Sequence, residues 1–175
     1  MKCISATRSE IQCILDVLNE AKKVRNSENF LCGFPDESTK WFMCELKVTF
    51  LGDLYLFWDG KAWEEPEKKT PRRVKQGVKD FKRIKIDSKP TNTNHLNKII
   101  KLKKKIESSN FQNLEPFPIL VGLNKGSPIL ILDGNHRLAA LWWATPKRSR
   151  SKLDIKFWVG FSLDMKRYKY YARIL

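Results

Sequence analysis

The chain is short of acid. Its 175 residues include 19 Asp and Glu against 34 Lys and Arg, a formal net charge of +15 at pH 7. Net charge is silent on fold but speaks to partners. The excess points to a polyanion: DNA, RNA, a nucleotide or an anionic membrane surface. A merely solvated basic surface is the alternative. Histidine is scarce as well; only His95 and His136 occur, which excludes a histidine-rich metal site. The four cysteines, Cys3, Cys13, Cys32 and Cys44, contain no CxxC pair and no zinc-like spacing. They are expected to be free, mostly buried thiols in a reducing compartment. No apolar run approaches the ~20 residues of a membrane span. Met1–Gln12 is polar and lacks the apolar centre of a secretion signal. These absences predict a cytoplasmic protein without a membrane span, and no metal-ligating set is found.

What is present is enough apolar material for a core, 42% of the chain. Disorder of the whole chain is therefore excluded. Ser9 to Arg25 has apolar residues at helical spacing, with Ser9 as a possible cap. Trp41 to Leu51 and Leu54 to Trp58 read as strands, and Asp59-Gly60 is a hairpin signal before Lys61 to Glu64. Glu65 to Gly77, with Pro66 and Pro71, reads as a basic linker. Phe81 to Ile86 reads as a strand and Asn92 to Ser109 as a helix with a lysine-rich polar side. Ile119 to Gly122 and the wholly apolar Pro128 to Leu132 read as strands, the second one central. A turn at Asp133–Arg137, a helix from Leu138 to Ala144, a strand over Ile155–Phe161 and a closing helix over Asp164–Leu175 complete the pattern. The fold class is α+β. The expected organisation is a helix and antiparallel meander over 1–77, followed by a mixed sheet with flanking helices over 78–175, the two forming one compact unit.

The informative stretch runs from Ile129 to Leu141. A buried strand ends in a glycine turn and a helix begins at once. The first N–H groups of a helix have no intrahelical acceptor, and the positive end of its dipole lies behind them. That makes an anion site. Gly134 permits a tight turn and close approach of a phosphate. His136 and Arg137 add donors, and Arg137 can grip phosphate oxygens with a bidentate fork. The plainer alternative is a strand–turn–helix corner in which Asp133 or Asn135 caps the helix and Arg137 pairs with an acid. Trp142 and Trp143 read as packing residues.

The stretch from Val78 to Gly160 resembles the ParB/sulfiredoxin superfamily. The matching features are Phe81–Ile86, Asn92–Ser109, the strand Pro118-Ile119-Leu120-Val121, and Leu130–Leu141 with its Asp-Gly-Asn-His-Arg turn and Leu-Ala-Ala helix start. The resemblance covers about half of the chain. It implies a ParB/sulfiredoxin-like fold in which Gly134, Asn135, His136 and Arg137 hold the phosphates of ATP, with Mg²⁺. It implies approximately Lys98, Lys101 and Lys105 as helix residues directed at the phosphates; a solvated basic stripe is the alternative. Sulfiredoxins carry a nucleophilic cysteine where this chain has Asn135, which argues against reductase chemistry.

Three functions follow as expectations. The first is an NTP-binding enzyme that hydrolyses ATP or transfers its phosphoryl group, a small-molecule kinase included. Its catalytic set would be His136, Arg137 and Asp133, by positioning and charge stabilisation. Asp133 is a candidate Mg²⁺ ligand or cap, and capping is the simpler role. His95 is a candidate general acid or base, and Asp87, with Asp80 behind it, a candidate acid. The second is a DNA-binding protein or nuclease, contacting the phosphate backbone through Lys68, Lys69, Arg72, Arg73, Lys103, Lys104, Arg148 and Arg150. The third is non-enzymatic: an inhibitor or regulator from a mobile element, acting on DNA transfer or segregation through a protein partner.

Overall fold

A computed structural model describes residues 2–25, 38–57, 64–65, 70–83, 90–109 and 115–175. The hairpin signal Asp59-Gly60, 61–63 of the strand expected after it, and Cys32, Lys68, Lys69 and Asp87 lie outside the described residues, as does most of the loop expected over 26–40.

The chain folds around a mixed six-stranded sheet. Its strands are β1 (Lys2–Ser5), β2 (Lys40–Lys47), β3 (Tyr55–Leu56), β6 (Ile119–Gly122), β7 (Leu130–Asp133) and β8 (Asp154–Phe161), in the order β1-β2-β8-β6-β7-β3. A separate pair joins β4 (Glu64–Glu65) to β5 (Thr70–Pro71). Among the described residues five α-helices accompany the sheet: α1 (Arg8–Arg25), α2 (Val48–Leu51), α3 (Val74–Phe81), α4 (Pro90–Ser108) and α5 (Asn135–Ala144). A mixed sheet with flanking helices is therefore present, but it is not confined to 78–175 as expected, because β1, β2 and β3 come from 1–77. The interior strands β6 and β7 are short and apolar because both of their faces are covered. Their side chains divide by alternation. Leu120 and Ile131 join one buried cluster with α3, α4 and α5, while Ile119, Val121, Leu130 and Leu132 join another with α1 and the C-terminal segment.

Several local expectations give way. Among the described residues no antiparallel meander follows α1. β2 pairs antiparallel with β1 and β8, and β3 pairs parallel with β7. The apolar run from Trp41 supplies a strand only as far as Lys47. There Val48 N–H donates to the Leu153 carbonyl and Thr49 N–H to the Arg150 carbonyl, turning the chain into α2. The expected linker contains α3, whose Gly77 is buried, so the boundary expected at 77/78 falls inside a helix. Phe81 closes α3 instead of opening a strand, and 84–86 of the strand expected there lie outside the described residues. The closing helix is a short 3-10 turn over Leu163–Arg167 followed by further turns, with Tyr168, Tyr171 and Ile174 buried at intervals of three.

The cap of α1 is Thr7 and not Ser9. Thr7 Oγ1 accepts from Glu10 N–H at 3.3 Å, and Glu10 Oε2 accepts from Thr7 N–H at 2.8 Å. This reciprocal pair is a capping box. Those hydrogen bonds from Thr7, backbone first and then hydroxyl, hold the Glu10 carboxyl below the usual glutamate range. Cys3 and Cys44 are opposite one another on β1 and β2 and form a disulfide, so those two cysteines are not the expected free thiols; Cys13 is free but exposed, against the expected burial. Among the described residues no helix is long and apolar enough to cross a membrane.

Candidate phosphate site at the start of α5

β7 delivers the chain to Asp133, and Gly134 turns it into α5 with φ of 90°. A residue with a Cβ would be strained in that left-handed conformation. It would also meet Pro118 Cβ at 2.9 Å, so the position suits glycine on two counts. The helix begins at Asn135, three residues earlier than its apolar pattern suggests. Its first internal hydrogen bond runs from Leu138 N–H to the Gly134 carbonyl. The N–H groups of residues 135–137 therefore precede the helical ladder, as the anion-site reading requires.

The side chains are arranged differently from expectation. Neither Asp133 nor Asn135 caps the helix; Gly134 occupies the cap position, and no side chain caps there. Asn135 is buried and faces inward. Its Oδ1 accepts from Phe57 N–H at 2.7 Å, and its Nδ2 donates to the Ile131 carbonyl at 3.4 Å. The amide thus joins α5 to the end of β3, and its side chain is spent on the fold instead of on a ligand. Arg137 Nη2 donates to Asp133 Oδ2 at 2.6 Å, and its Nη1 donates to the Pro116 carbonyl. Asp133 accordingly orients the guanidinium. This i,i+4 pair is mostly shielded, with side-chain exposures of 17% and 23%.

His136 meets His95. His95 lies on α4, is 5% exposed, and places its Nδ1 2.7 Å from His136 Nε2, with the two rings nearly parallel. One nitrogen of the pair must donate and the other accept, so the protonation states of the two rings are coupled. Both histidines of the chain thus converge on the first turn of α5. The sequence offered His95 as an acid or base but no means of pairing it with a residue 41 positions away.

The lysines of α4 do not gather at the turn. Lys98, Lys101, Lys104 and Lys105 are exposed on the side of α4 away from its buried residues His95, Leu96, Ile99 and Ile106. Lys101 and Lys105 lie about 9 and 15 Å along the helix axis from His95. Lys103 pairs with Glu107 at 2.7 Å.

Of the other residues expected to contact DNA, Arg72 is paired with Asp80, which is thereby a structural acid. Arg73 contacts Asp53 and the Tyr55 hydroxyl. Arg148 is exposed on a 3-10 turn. Arg150 is structural. Its Nε and Nη2 donate to the carbonyls of Thr145 and Trp142 at the end of α5, at 3.1 and 2.9 Å. Its guanidinium lies 3.6 Å from the centre of the Trp142 ring. Burial there pulls its pKa below the ordinary arginine value. The same indole abuts Gly52, where an added Cβ would meet the ring at 2.6 Å. Trp142 is thus a packing residue, as expected.

Among the described residues no group of three or more His, Cys, Asp or Glu is placed to hold a metal ion. Comparison with family models, with curated proteins and with solved structures finds no match to this chain.

Proposed function

We propose that the first turn of α5 binds the phosphates of a nucleotide, and that the protein hydrolyses NTP, acts on DNA, or does both. The observation that carries this reading is the His95–His136 hydrogen bond at the open end of α5. An imidazole hydrogen-bonded to a second imidazole beside a helix N-terminus has the setting that proton transfer at a phosphate requires. His136, on α5 itself, is the group at the phosphate, and His95 is its positioning partner. Arg137, oriented by Asp133, supplies the charge that a phosphoryl group needs in its transition state. The backbone N–H groups after Gly134 supply the cradle. ATP fits this donor set. Mg²⁺ fits only as the nucleotide's companion, because the one carboxylate at the turn, Asp133, is already paired with Arg137. The order of elements around the turn supports a ParB/sulfiredoxin-type arrangement, with Asn135 withdrawn into the fold where a reductase would need a thiol.

The DNA-directed part of the proposal now rests on the exposed lysines of α4 and on Arg148, and no longer on Arg72 or Arg150. One observation favours a second, non-enzymatic reading. The side chains of Asn135 and Arg137 are already satisfied within the protein, which suits a protein that keeps the turn as a scaffold and acts by binding a partner.

The test is titration with ATP and Mg²⁺ followed by tryptophan fluorescence, beside incubation with plasmid DNA. Arg137→Ala and the charge-conserving Arg137→Lys are both made, since Arg137 also braces the turn. Loss of ATP binding in folded Arg137→Lys supports the site, because a lysine cannot reproduce the fork. ATP binding and DNA activity unchanged in both variants refutes it. ATP binding without turnover selects the non-enzymatic reading.

A further inference from the structure

A second cavity lies at the other end of β7 from the candidate phosphate site. It is a cleft of about 490 Å³ bounded by α2, the start of β3 and the turn between β6 and β7. Ile129 lines it and Gly134 closes the opposite end of the strand, so the two places are separated by roughly 15 Å of extended chain. The volume falls in the range of small-molecule sites, about 300–1,000 Å³.

The floor is a diagonal of apolar side chains: Ile129 before β7, Leu120 of β6, Phe157 of β8 and Leu46 of β2. Ile129 just precedes β7, and its register follows from the Val121↔Leu130 pairing. Leu120 pairs with Val159 and Phe157 with Cys44, so each step across the sheet shifts by two residues along the strands. All four therefore share the sheet face that packs against α3, α4 and α5. Leu120 and Phe157 are buried against solvent yet border the cleft. Phe50 of α2 stands at the rim and is 53% exposed.

The polar wall groups are satisfied within the wall. Ser127 Oγ accepts from Leu123 and Asn124 N–H and donates to the Asn124 carbonyl. Gly126 N–H donates to Asn124 Oδ1. The Tyr55 hydroxyl accepts from Arg73 Nε. The wall thus asks little of a ligand's polar groups along most of its length. Charge is concentrated at the mouth, where Arg73 and Lys125 line the cleft with Asp53. Lys75 lies behind, 2.7 Å from the Asp53 carboxylate. Arg73 and Lys75 share the Asp53 carboxylate, and Lys125 makes no ion pair or side-chain hydrogen bond among the described residues.

We propose that this cleft binds a small amphipathic anion, with an aliphatic or aromatic body on the diagonal floor and a carboxylate or equivalent group at the Arg73–Lys125 mouth. The floor favours the body by excluding water from apolar surface, and the mouth selects the sign of the head group. The inference is independent of the reading of the α5 turn.

The test uses anilinonaphthalene sulfonate, a fluorescent aromatic anion, at low salt. Expected is saturable one-site binding, displaced by decanoate and not by a cationic ligand of the same chain length. Lys125→Glu reverses an exposed charge and should weaken both anions about ten-fold, an effect lost at high salt. Ile129→Phe fills the floor and should abolish binding. Non-saturable binding, equal displacement by the cation, or unchanged affinity in Lys125→Glu overturns the proposal. Ile129→Phe counts only if its thermal transition remains cooperative; otherwise Lys125→Glu decides. ATP titration of Lys125→Glu reads the α5 turn separately and should match the parent chain.

Discussion

Replacing Asn135 by alanine tests how the start of α5 is built. The side chain is 3% exposed and satisfies two backbone groups from different elements, the Phe57 N–H and the Ile131 carbonyl. The 2.7 Å bond to Phe57 is the stronger of the two, because the 3.4 Å contact is near the limit of hydrogen bonding. Alanine cannot accept from Phe57 N–H, and Phe57 is itself fully buried, so no water is at hand to replace the amide. Leaving one buried donor unpaired costs about 1–3 kcal/mol. The expected loss is therefore about 2 kcal/mol, or roughly 4–8 °C in Tm for a chain of this size. Denaturant and thermal unfolding followed by circular dichroism measure it. Amide hydrogen exchange locates it: exchange at Phe57 should accelerate more than at interior β6 and β8, since β3 loses its tie to α5. A Tm change below about 1 °C with unchanged Phe57 protection would refute the assignment of Asn135 to the fold.

Four further outcomes are expected. Gly134→Ala should lose on the order of 2–3 kcal/mol from left-handed strain and the Pro118 contact. Gly134→Asn should recover part of the strain and none of the contact, as read by denaturant midpoints. Thr7→Ala should cost about 1 kcal/mol at neutral pH. Glu10 has a lowered folded pKa, so its share of the capping box is fully present above its unfolded pKa and is lost as pH falls through the folded one; the gap between parent and Thr7→Ala should begin to narrow below about pH 4.3 and level off at the pH-independent bond from Glu10 N–H to Thr7 Oγ1. Arg150→Ala should cost about 1–2 kcal/mol through the end of α5 and the Trp142 contact, and Arg150→Lys should recover little of it. Changing Lys98, Lys101 and Lys105 to Glu together should leave Tm nearly unchanged and lower the salt dependence of DNA binding by about three phosphate contacts; an unaltered salt slope would remove α4 from the interface.

The parts of this fold legible in sequence are those with a local period. α1, α4, β6, β7 and β8 each show their apolar spacing within one element, and the glycine turn before α5 is visible as a residue type. Strand partnership has no local signature. β2 is completed by β8 across more than a hundred residues, and nothing in Trp41–Lys47 names that partner. β1 is only four residues long, with a single large apolar side chain, Ile4, that is 71% exposed, so it carries no core pattern. α3 was obscured by its flanking Pro71, its charges and its internal Gly77. At the candidate site, residue types were readable but directions were not. Asn135 sits at the first helical position, where a shift of the helix start turns a side chain from solvent into the core. The His95–His136 contact exists only because α4 packs on α5.

The two margins of the sheet are unequal. At β3 the outer side is occupied, since Leu56 N–H donates to the Arg72 carbonyl, Val74 N–H donates to the Leu54 carbonyl, and Tyr55 forms a bridge with Arg73. Among the described residues, β1 pairs only with β2 and its other side is open. An open strand edge is a template for another chain. With the β3 margin occupied, growth of the six-stranded sheet has one point of attachment among the described residues. Edge-to-edge association through β1 would use up the open margin of both copies at once and stop at a closed pair, with no free end from which a fibre could extend.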